Sequence, residues 1–296
     1  MIDLARLRLL QELARRGTMT SVAEALGLTS SAVSQQLATL ERETGAMLLE
    51  RVGRRVRLTA EGARLVSHAE GIFEAVEAAE LDLRAGRERP QGTLEVATFA
   101  TYAKAHLLPA IVRARDRFPD LRVIVHELEP ADSIAAVRDG RCHLAVTFAY
   151  NLAPRPDAGD LAAHPLLEEP VLLALPQRWR RQRAPIDLAR FAQEDWIVGS
   201  RQTDDRLLAE RACAAAGFAP RIAHTVDDYD LLLRMVAAGL GVGFVPELGL
   251  RFPSADGVAR RAVGGMSLSR RIGALTRRAL ADSPRVRALL SVLGGA

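Results

Sequence analysis

A chain of 296 residues that is 49% hydrophobic and 26% charged can bury two cores and is too polar overall for a membrane protein. No apolar run approaches the roughly 20 residues that span a bilayer. The opening segment MIDLARLRLLQELARRG interleaves charges with leucines, unlike a signal peptide, so a cytoplasmic location and no membrane partner are expected. The formal net charge of +4 permits an anionic partner.

In chain order, Leu4, Leu7, Leu10 and Leu13 mark the inner side of a first helix. A second follows in TMTSVAEALGL: Thr20 or Ser21 is able to cap it, and Ser21 with Glu24 matches a capping box. Val22, Ala23 and Leu26 are expected to face inward, with Gly27 as the left-handed stop. Thr29 or Ser30 then caps a third helix, TSSAVSQQLATLE, whose apolar face is Val33, Leu37 and Leu40. Its other face carries Ser31, Ser34, Gln35 and Ala38, with no charge and no large apolar group. Such a slim, hydrogen-bonding surface suits a DNA major groove: serines donate or accept, Gln35 pairs with adenine, and Ala38 touches a thymine methyl. Thr29 and Ser30, at the start of that helix, join the candidate DNA contacts.

The charge sits beside this face, in ERVGRRVRLT, where Arg51, Arg54, Arg55 and Arg57 surround Gly53 and suggest a short β-wing reaching DNA phosphates or the minor groove. Residues 1–60 hold nine arginines against six acids, whereas residues 61–92 hold four against seven. Two helices around a glycine also occur in proteins that never touch DNA; the arginine wing is what favours the DNA reading.

From TAEG onward, Leu65, Ala69, Ile72, Val76, Ala79 and Leu83 alternate spacings of four and three, a coiled-coil seam. The competing reading is a single helix packed on its own domain. Gly71 costs that helix about 1 kcal/mol against alanine, which favours a partner helix. RAGRERPQG then reads as a linker.

The segment GTMTSVAEALGLTSSAVSQQLATLERETGAMLLERVGRRVRLTAEG resembles the N-terminal pattern of the LysR-type transcriptional regulators. The alanine-rich second helix, the AVS of the third, the LE…G exit and the ER…LTAEG wing appear in the family's order. Val22 replaces a usual alanine, and Ser31 stands where many members have proline. The resemblance implies a dimer through the linker helix, commonly a homotetramer. It also implies binding to double-stranded promoter DNA, a small-molecule effector, RNA polymerase as a further partner, and no cofactor.

Residues 93 to 296 turn to β-rich runs alternating with amphipathic helices, an α/β pattern. The expected order is strand TLEVATF, a helix from Tyr102 to Phe118, strand LRVIVHEL, helix ADSIAAVRDG and strand CHLAVTFA. A polar crossover, NLAPRPDAGDLAAHP, leads to a second α/β series from PVLLALP, and RIGALTRR and SPRVRALLSVL close the chain. HLLPAI, AAGLGVGFVP and RRIGALTRR resemble the effector domain of the same family, two lobes like a periplasmic binding protein with a cleft between. His143 departs from a frequent aspartate and is expected to be structural. Ligands in such sheets lie beyond strand carboxyl ends, near free N–H groups of helix N-termini. That nominates Thr98, Phe99, Ala100, Thr101, Tyr102, Thr147 and Phe148 in the first lobe. In the second it nominates Ser200, Arg201, Gln202, Thr203, Asp227, Asp228 and Phe244. An anionic or zwitterionic ligand is expected over Ser200 to Thr203, with Arg201 the cation among them; Asp227 and Asp228 instead suit an amine, or cap their helix.

The expected architecture is a winged helix-turn-helix domain over 1–60, a coiled-coil linker helix over 61–89, and a two-lobed α/β effector domain over 93–296. An enzyme is disfavoured because no catalytic triad, P-loop or Gly-x-Gly-x-x-Gly stands in usable context. The six histidines lack metal-ligand spacing, and Cys142 and Cys213 read as buried thiols. A solute-binding protein would need export, for which no leader is seen.

Overall fold

The computed structural model describes residues 2–52, 55–84, 90–155, 158–200, 203–251 and 257–293. The chain divides into two compact units, Met1–Gly86 and Arg87–Ala296.

The first unit is three helices, a hairpin and a long helix. Helix α1 (Leu4–Arg16) starts on Asp3, whose carboxylate accepts from Arg6 N–H, and ends at Gly17 with φ +76°. Leu7, Leu10 and Leu13 are buried as the spacing predicts, whereas Leu4 lies in the first turn and is 41% exposed. Helix α2 (Met19–Leu26) begins earlier than the capping box suggested: Thr18 is its cap, accepting from Ser21 N–H at 3.1 Å. Val22 and Ala23 are buried, but Leu26, in the last turn before Gly27, is 40% exposed. Gly27 takes φ +66° and turns the chain into α3 (Ser30–Thr44), capped by Thr29. Val33, Leu37 and Leu40 seal that helix against α1 and α2.

The strands β1 (Leu49–Val52) and β2 (Arg55–Leu58) pair antiparallel, forming the expected wing. Helix α4 (Ala60–Arg84) follows. Thr59 locks its start: the hydroxyl donates to Met47 O and accepts from Gly62 N–H. Gly62 lies so close to the wing that an added Cβ would meet Leu48 O at 2.2 Å. Within this unit Leu65 and Val66 pack on the three-helix core, and Arg8 lies over the Phe73 ring. The near end of the proposed seam is therefore used internally. Ile72 and Val76 are half-buried and Ala79 is exposed; the side chain of Leu83 lies outside what is described.

The second unit is built on a seven-stranded sheet, in the order β10 (Ala259–Arg261), β6 (Leu161–Leu175), β11 (Ser269–Arg277), β5 (Leu144–Tyr150), β3 (Gly92–Thr98) and β4 (Leu121–Glu127), with β9 (Gly243–Pro246) also paired to β6. Parallel β3 (Gly92–Thr98), β4 (Leu121–Glu127) and β5 (Leu144–Tyr150) form the first lobe with α5 (Ala100–Tyr102), α6 (Leu108–Arg117) and α7 (Pro130–Arg138). A π-helical turn, Ala103–Leu107, joins α5 to α6, so that helix starts two residues before Tyr102. His143 is structural: its Nδ1 accepts from Glu95 N–H and its own N–H donates to Glu95 O, extending the β3–β5 ladder.

The crossover differs from expectation. Instead of an irregular segment ending near Pro165, β6 runs over fifteen residues, Leu161–Leu175. Its first part pairs with β11 (Ser269–Arg277), and its far end pairs with β9 (Gly243–Pro246) and β10 (Ala259–Arg261) in the second lobe. Pro165 is accommodated opposite Gly273, at a register shift. Two further strands, β7 (Asp195–Val198) and β8 (Arg221–Thr225), pair parallel beside α8 (Asp204–Ala215) and α9 (Tyr229–Ala237). Helix α10 (Pro284–Leu293) closes the chain. No helix among the described residues is long and apolar enough to cross a membrane.

Candidate functional site

The outer face of α3 is laid open by its inner packing. Thr29, Ser30, Ser31, Ser34, Gln35 and Ala38 are all exposed. Thr29 is partly committed, since its hydroxyl caps Ala32 N–H at 3.1 Å. Ser31, Ser34 and Gln35 side chains have no protein hydrogen bond among the described residues, so their donors and acceptors are available to base edges. Arg57 is exposed on β2; Arg54 and the Arg55 side chain lie outside what is described. One positioning residue escaped sequence reasoning. Glu41 Oε1 accepts from both Leu48 and Leu49 N–H, at 2.8 and 3.0 Å, tying the wing to the end of α3.

Within the second unit the nominated residues divide. Thr98, Phe99, Thr101 and Tyr102 are buried at and just beyond the carboxyl end of β3, Thr147 and Phe148 are buried midway along β5, and Ala100 is half-buried. Phe244 is also buried, but in the second-lobe core against Trp196 at 5.5 Å. Arg201 and Gln202 lie outside the described residues. Thr203 turns its hydroxyl back to Ser200 O at 2.9 Å, closing the loop before α8. Gly199 makes that loop fit, since a Cβ there would meet Thr203 Oγ1 at 2.3 Å. Asp228 caps α9, accepting from Leu231 N–H at 2.7 Å.

At the expected anion cradle, carboxylates surround the described backbone. Ser200 N–H donates to Asp227 Oδ1 at 2.7 Å, and Asp204 and Asp205 occupy the first turn of α8. Glu129, just before α7, adds another carboxyl; burial first, then Asp205 and Asp227, push it up to about 7. Burial also raises Asp205, against the lowering pull of Tyr150, Arg270 and Tyr229.

Sequence reasoning missed the group that organises the cleft. Arg270 on β11 is 1% exposed and sits between the rings of Phe99 and Phe148, 4.9 Å from each centroid. It donates to Glu169 Oε1 at 2.8 Å and to Thr101 Oγ1 at 3.0 Å. Glu169, 4% exposed, also accepts from Leu248 N–H in the second lobe. Burial alone would lower Arg270, but Tyr150, Tyr229 and Glu169 outweigh it and hold it charged. Nearby, the Tyr150 hydroxyl from lobe one donates to Asp205 and lies 3.1 Å from the Tyr229 hydroxyl in lobe two. Arg155 adds a 2.6 Å ion pair to Asp204. The signal was present in RRIGALTRR: strand alternation places Arg270 on the same side as buried Ile272 and Ala274, where an unpaired arginine is not tolerated.

Cys142 and Cys213 are buried, and burial pushes their thiols up to about 11 and about 12, so almost no reactive thiolate exists near neutral pH.

Residues 4–63 match the family described as bacterial regulatory helix-turn-helix protein, lysR family, and residues 87–296 match LysR substrate binding domain. The chain is 29% identical over 258 residues to the uncharacterized HTH-type transcriptional regulator YfeR of Shigella flexneri, covering 85% of this chain and 80% of that one. It is 27% identical to the transcriptional dual regulator GltC of Bacillus subtilis, covering 83% and 81%. Among solved structures, a full-length OxyR from Pseudomonas aeruginosa matches with TM-score 0.74 at 22% identity, over 99% of this chain and 94% of that one. ArgP from Mycobacterium tuberculosis matches with TM-score 0.68 at 24% identity, over 99% and 97%. At these identities the structural likeness is one of fold.

Proposed function

The chain belongs to the LysR-type family of DNA-binding transcriptional regulators with an effector-binding domain, and from that premise we propose which residues perform each task. Residues 1–60 read promoter DNA, 61–89 join two copies, and 93–296 sense a small molecule. The observation that carries the reading is the exposed, uncharged face of α3, with Ser31, Ser34, Gln35 and Ala38 open beside the arginine wing. These side chains contact bases in the major groove, while Thr29, Ser30, Arg54, Arg55 and Arg57 hold phosphates. Assembly is a homodimer through α4, and two dimers form a tetramer on a partly palindromic site.

The effector sits between the lobes, over Thr101, Tyr150 and Arg270 and under the loop from Ser200 to Thr203. Because Asp227 takes the Ser200 N–H and Asp204, Asp205 and Glu129 crowd the same end, that end suits a ligand's hydrogen-bond donors or a cationic group. This replaces the carboxylate expected there from strand-end geometry alone. Footprinting on the DNA flanking the protein's own gene, with and without a panel of amino acids, amines and organic acids, tests the whole reading. Protection of a site with two half-sites, altered by one of the donors, is expected; no protected site anywhere in that DNA rejects it.

A further inference from the structure

A basic groove lies in the other half of the same unit, away from the interlobe cleft. The loop between β6 and Ile186 reads Gln177-Arg178-Trp179-Arg180-Arg181-Gln182-Arg183: four arginines in seven residues and no acid. The edge strand β10 adds Arg260 and Arg261 beside it. Together Gln177, Arg180 and the stretch from Gly257 to Arg261 line a solvent-open groove of about 480 Å³.

The groove is held in shape. Leu175 pairs with Ala259 at one end of the loop, and Ile186 bridges Val263 at the other. Between them, Arg261 spends its guanidinium on the chain itself, donating to Gln182 O at 2.6 Å, Arg260 O at 2.7 Å and Arg180 O at 2.5 Å. The remaining cations are not so used. Arg178 pairs with Glu194 at 2.6 Å, but Arg180, Arg181, Arg183 and Arg260 are exposed and no carboxylate pairs with them among the described residues. Like charges gathered on a fixed loop repel one another, and an anion relieves that repulsion. Arginine's planar fork matches phosphate oxygens in pairs.

We propose that this groove on the second lobe is an anion site for a phosphate group, with Arg180 and Arg260 as its recognising side chains. The phosphate belongs either to a small phosphorylated compound or to a nucleic-acid backbone, and two measurements on the full-length protein separate these sources. The first is calorimetric titration with inorganic pyrophosphate at fixed ionic strength, with sulfate as the comparison. Trp179, half-buried within the loop and 5.1 Å from the Phe191 ring, supplies a fluorescence signal at the groove itself. The second is the salt dependence of affinity for a random-sequence duplex.

The test variant Arg180→Ser/Arg260→Ser touches only exposed side chains and leaves the Arg261 staples intact; an unchanged thermal midpoint verifies its fold. Arg180→Lys/Arg260→Lys keeps the charge without the fork. Saturable pyrophosphate binding, weakened at least tenfold in the serine variant and partly restored in the lysine variant, identifies a small-phosphate site when the duplex salt slope is unchanged. A salt slope shallower by about 2 in the serine variant identifies backbone phosphates as the source, since each neutralised phosphate contributes about 0.9. Absence of saturable pyrophosphate binding together with equal salt slopes overturns the proposal. Equal pyrophosphate affinity in wild type and serine variant, again with equal salt slopes, overturns it as well.

Discussion

Single side chains on α3 and the wing are expected to fail in different ways. Gln35 is exposed with its amide unspent, so Gln35→Ala should cost about 1–3 kcal/mol at one base-pair position and relax the preference there. Arg57→Ala would remove the proposed phosphate contact and should weaken specific and random DNA alike, with a shallower salt dependence. Competition binding across a set of single-base operator variants distinguishes the two; equal losses on every sequence for both variants would reassign Gln35 to the backbone. Arg270 poses a different problem, because it and Glu169 are both buried and each satisfies the other. Arg270→Met leaves a carboxylate uncompensated and should destabilise the effector domain by about 3–5 kcal/mol. Adding Glu169→Gln keeps an acceptor for Leu248 N–H while removing the stranded charge, and should recover much of that loss in a denaturation midpoint. A double variant no more stable than the single one would remove the ion pair as the cause.

Among elements, the junction of wing and linker helix shows how a short motif becomes geometry. In LTAEG the threonine caps α4 and the glycine lets that helix pass against Leu48 O, so Gly62→Ala forces either the wing or the helix to move. The expected cost is about 1–3 kcal/mol, read by chemical denaturation; wild-type stability in Gly62→Ala would mean the junction yields freely. The glycine could be read from sequence as a family letter, but its close approach could not, because the partner atom is a carbonyl fourteen residues earlier. The same divide runs through the second unit. Periodicity located α7, β4 and β11 because each follows one regular spacing. It missed most of β6, whose prolines at 165 and 170 look like loop residues and are tolerated only because β11 shifts register there and ends at Ser269. Thr18 was missed as a cap because Ser21 and Glu24 supply the same chemistry one turn on. Glu129, before α7, gives this scale its pH dependence. Its carboxyl binds a proton more tightly folded than unfolded, so its contribution stabilises the fold most at low pH and is lost as pH rises from about 4.5 through about 7. Burial first, then Asp205 and Asp227, raise that carboxyl, and Arg270 and Arg155 pull it down. Thermal midpoints at pH 5 and 7.5 should therefore differ less in Glu129→Gln than in wild type, and an identical difference would show that the raised carboxyl is not Glu129.

For the whole molecule the question is how a ligand between two lobes alters an assembly that grips DNA. The lobes already touch through Tyr150, Asp205 and Tyr229, and through Arg155 and Asp204, so an effector at the proposed site would act on an existing contact rather than an open gap. It shifts the equilibrium only by binding one arrangement more tightly than another. If it changes operator affinity by some factor, operator must change effector affinity by the same factor, typically 5- to 150-fold. In the proposed assembly, that reciprocity runs through the α4 seam. Ile72, half-buried within the first unit, retains apolar surface for a partner helix, where an aspartate would be an unpaired buried charge. Ile72→Asp should therefore sediment as a monomer and lose affinity for a two-half-site operator, while each unit stays folded. The same variant should bind the effector found by footprinting as tightly as wild type does without DNA, and adding operator should no longer change that affinity. Calorimetry with and without operator, on both proteins, measures all four affinities. A monomeric variant that still shows the full coupling would place communication within one chain, and a variant that remains dimeric would remove the seam from the interface.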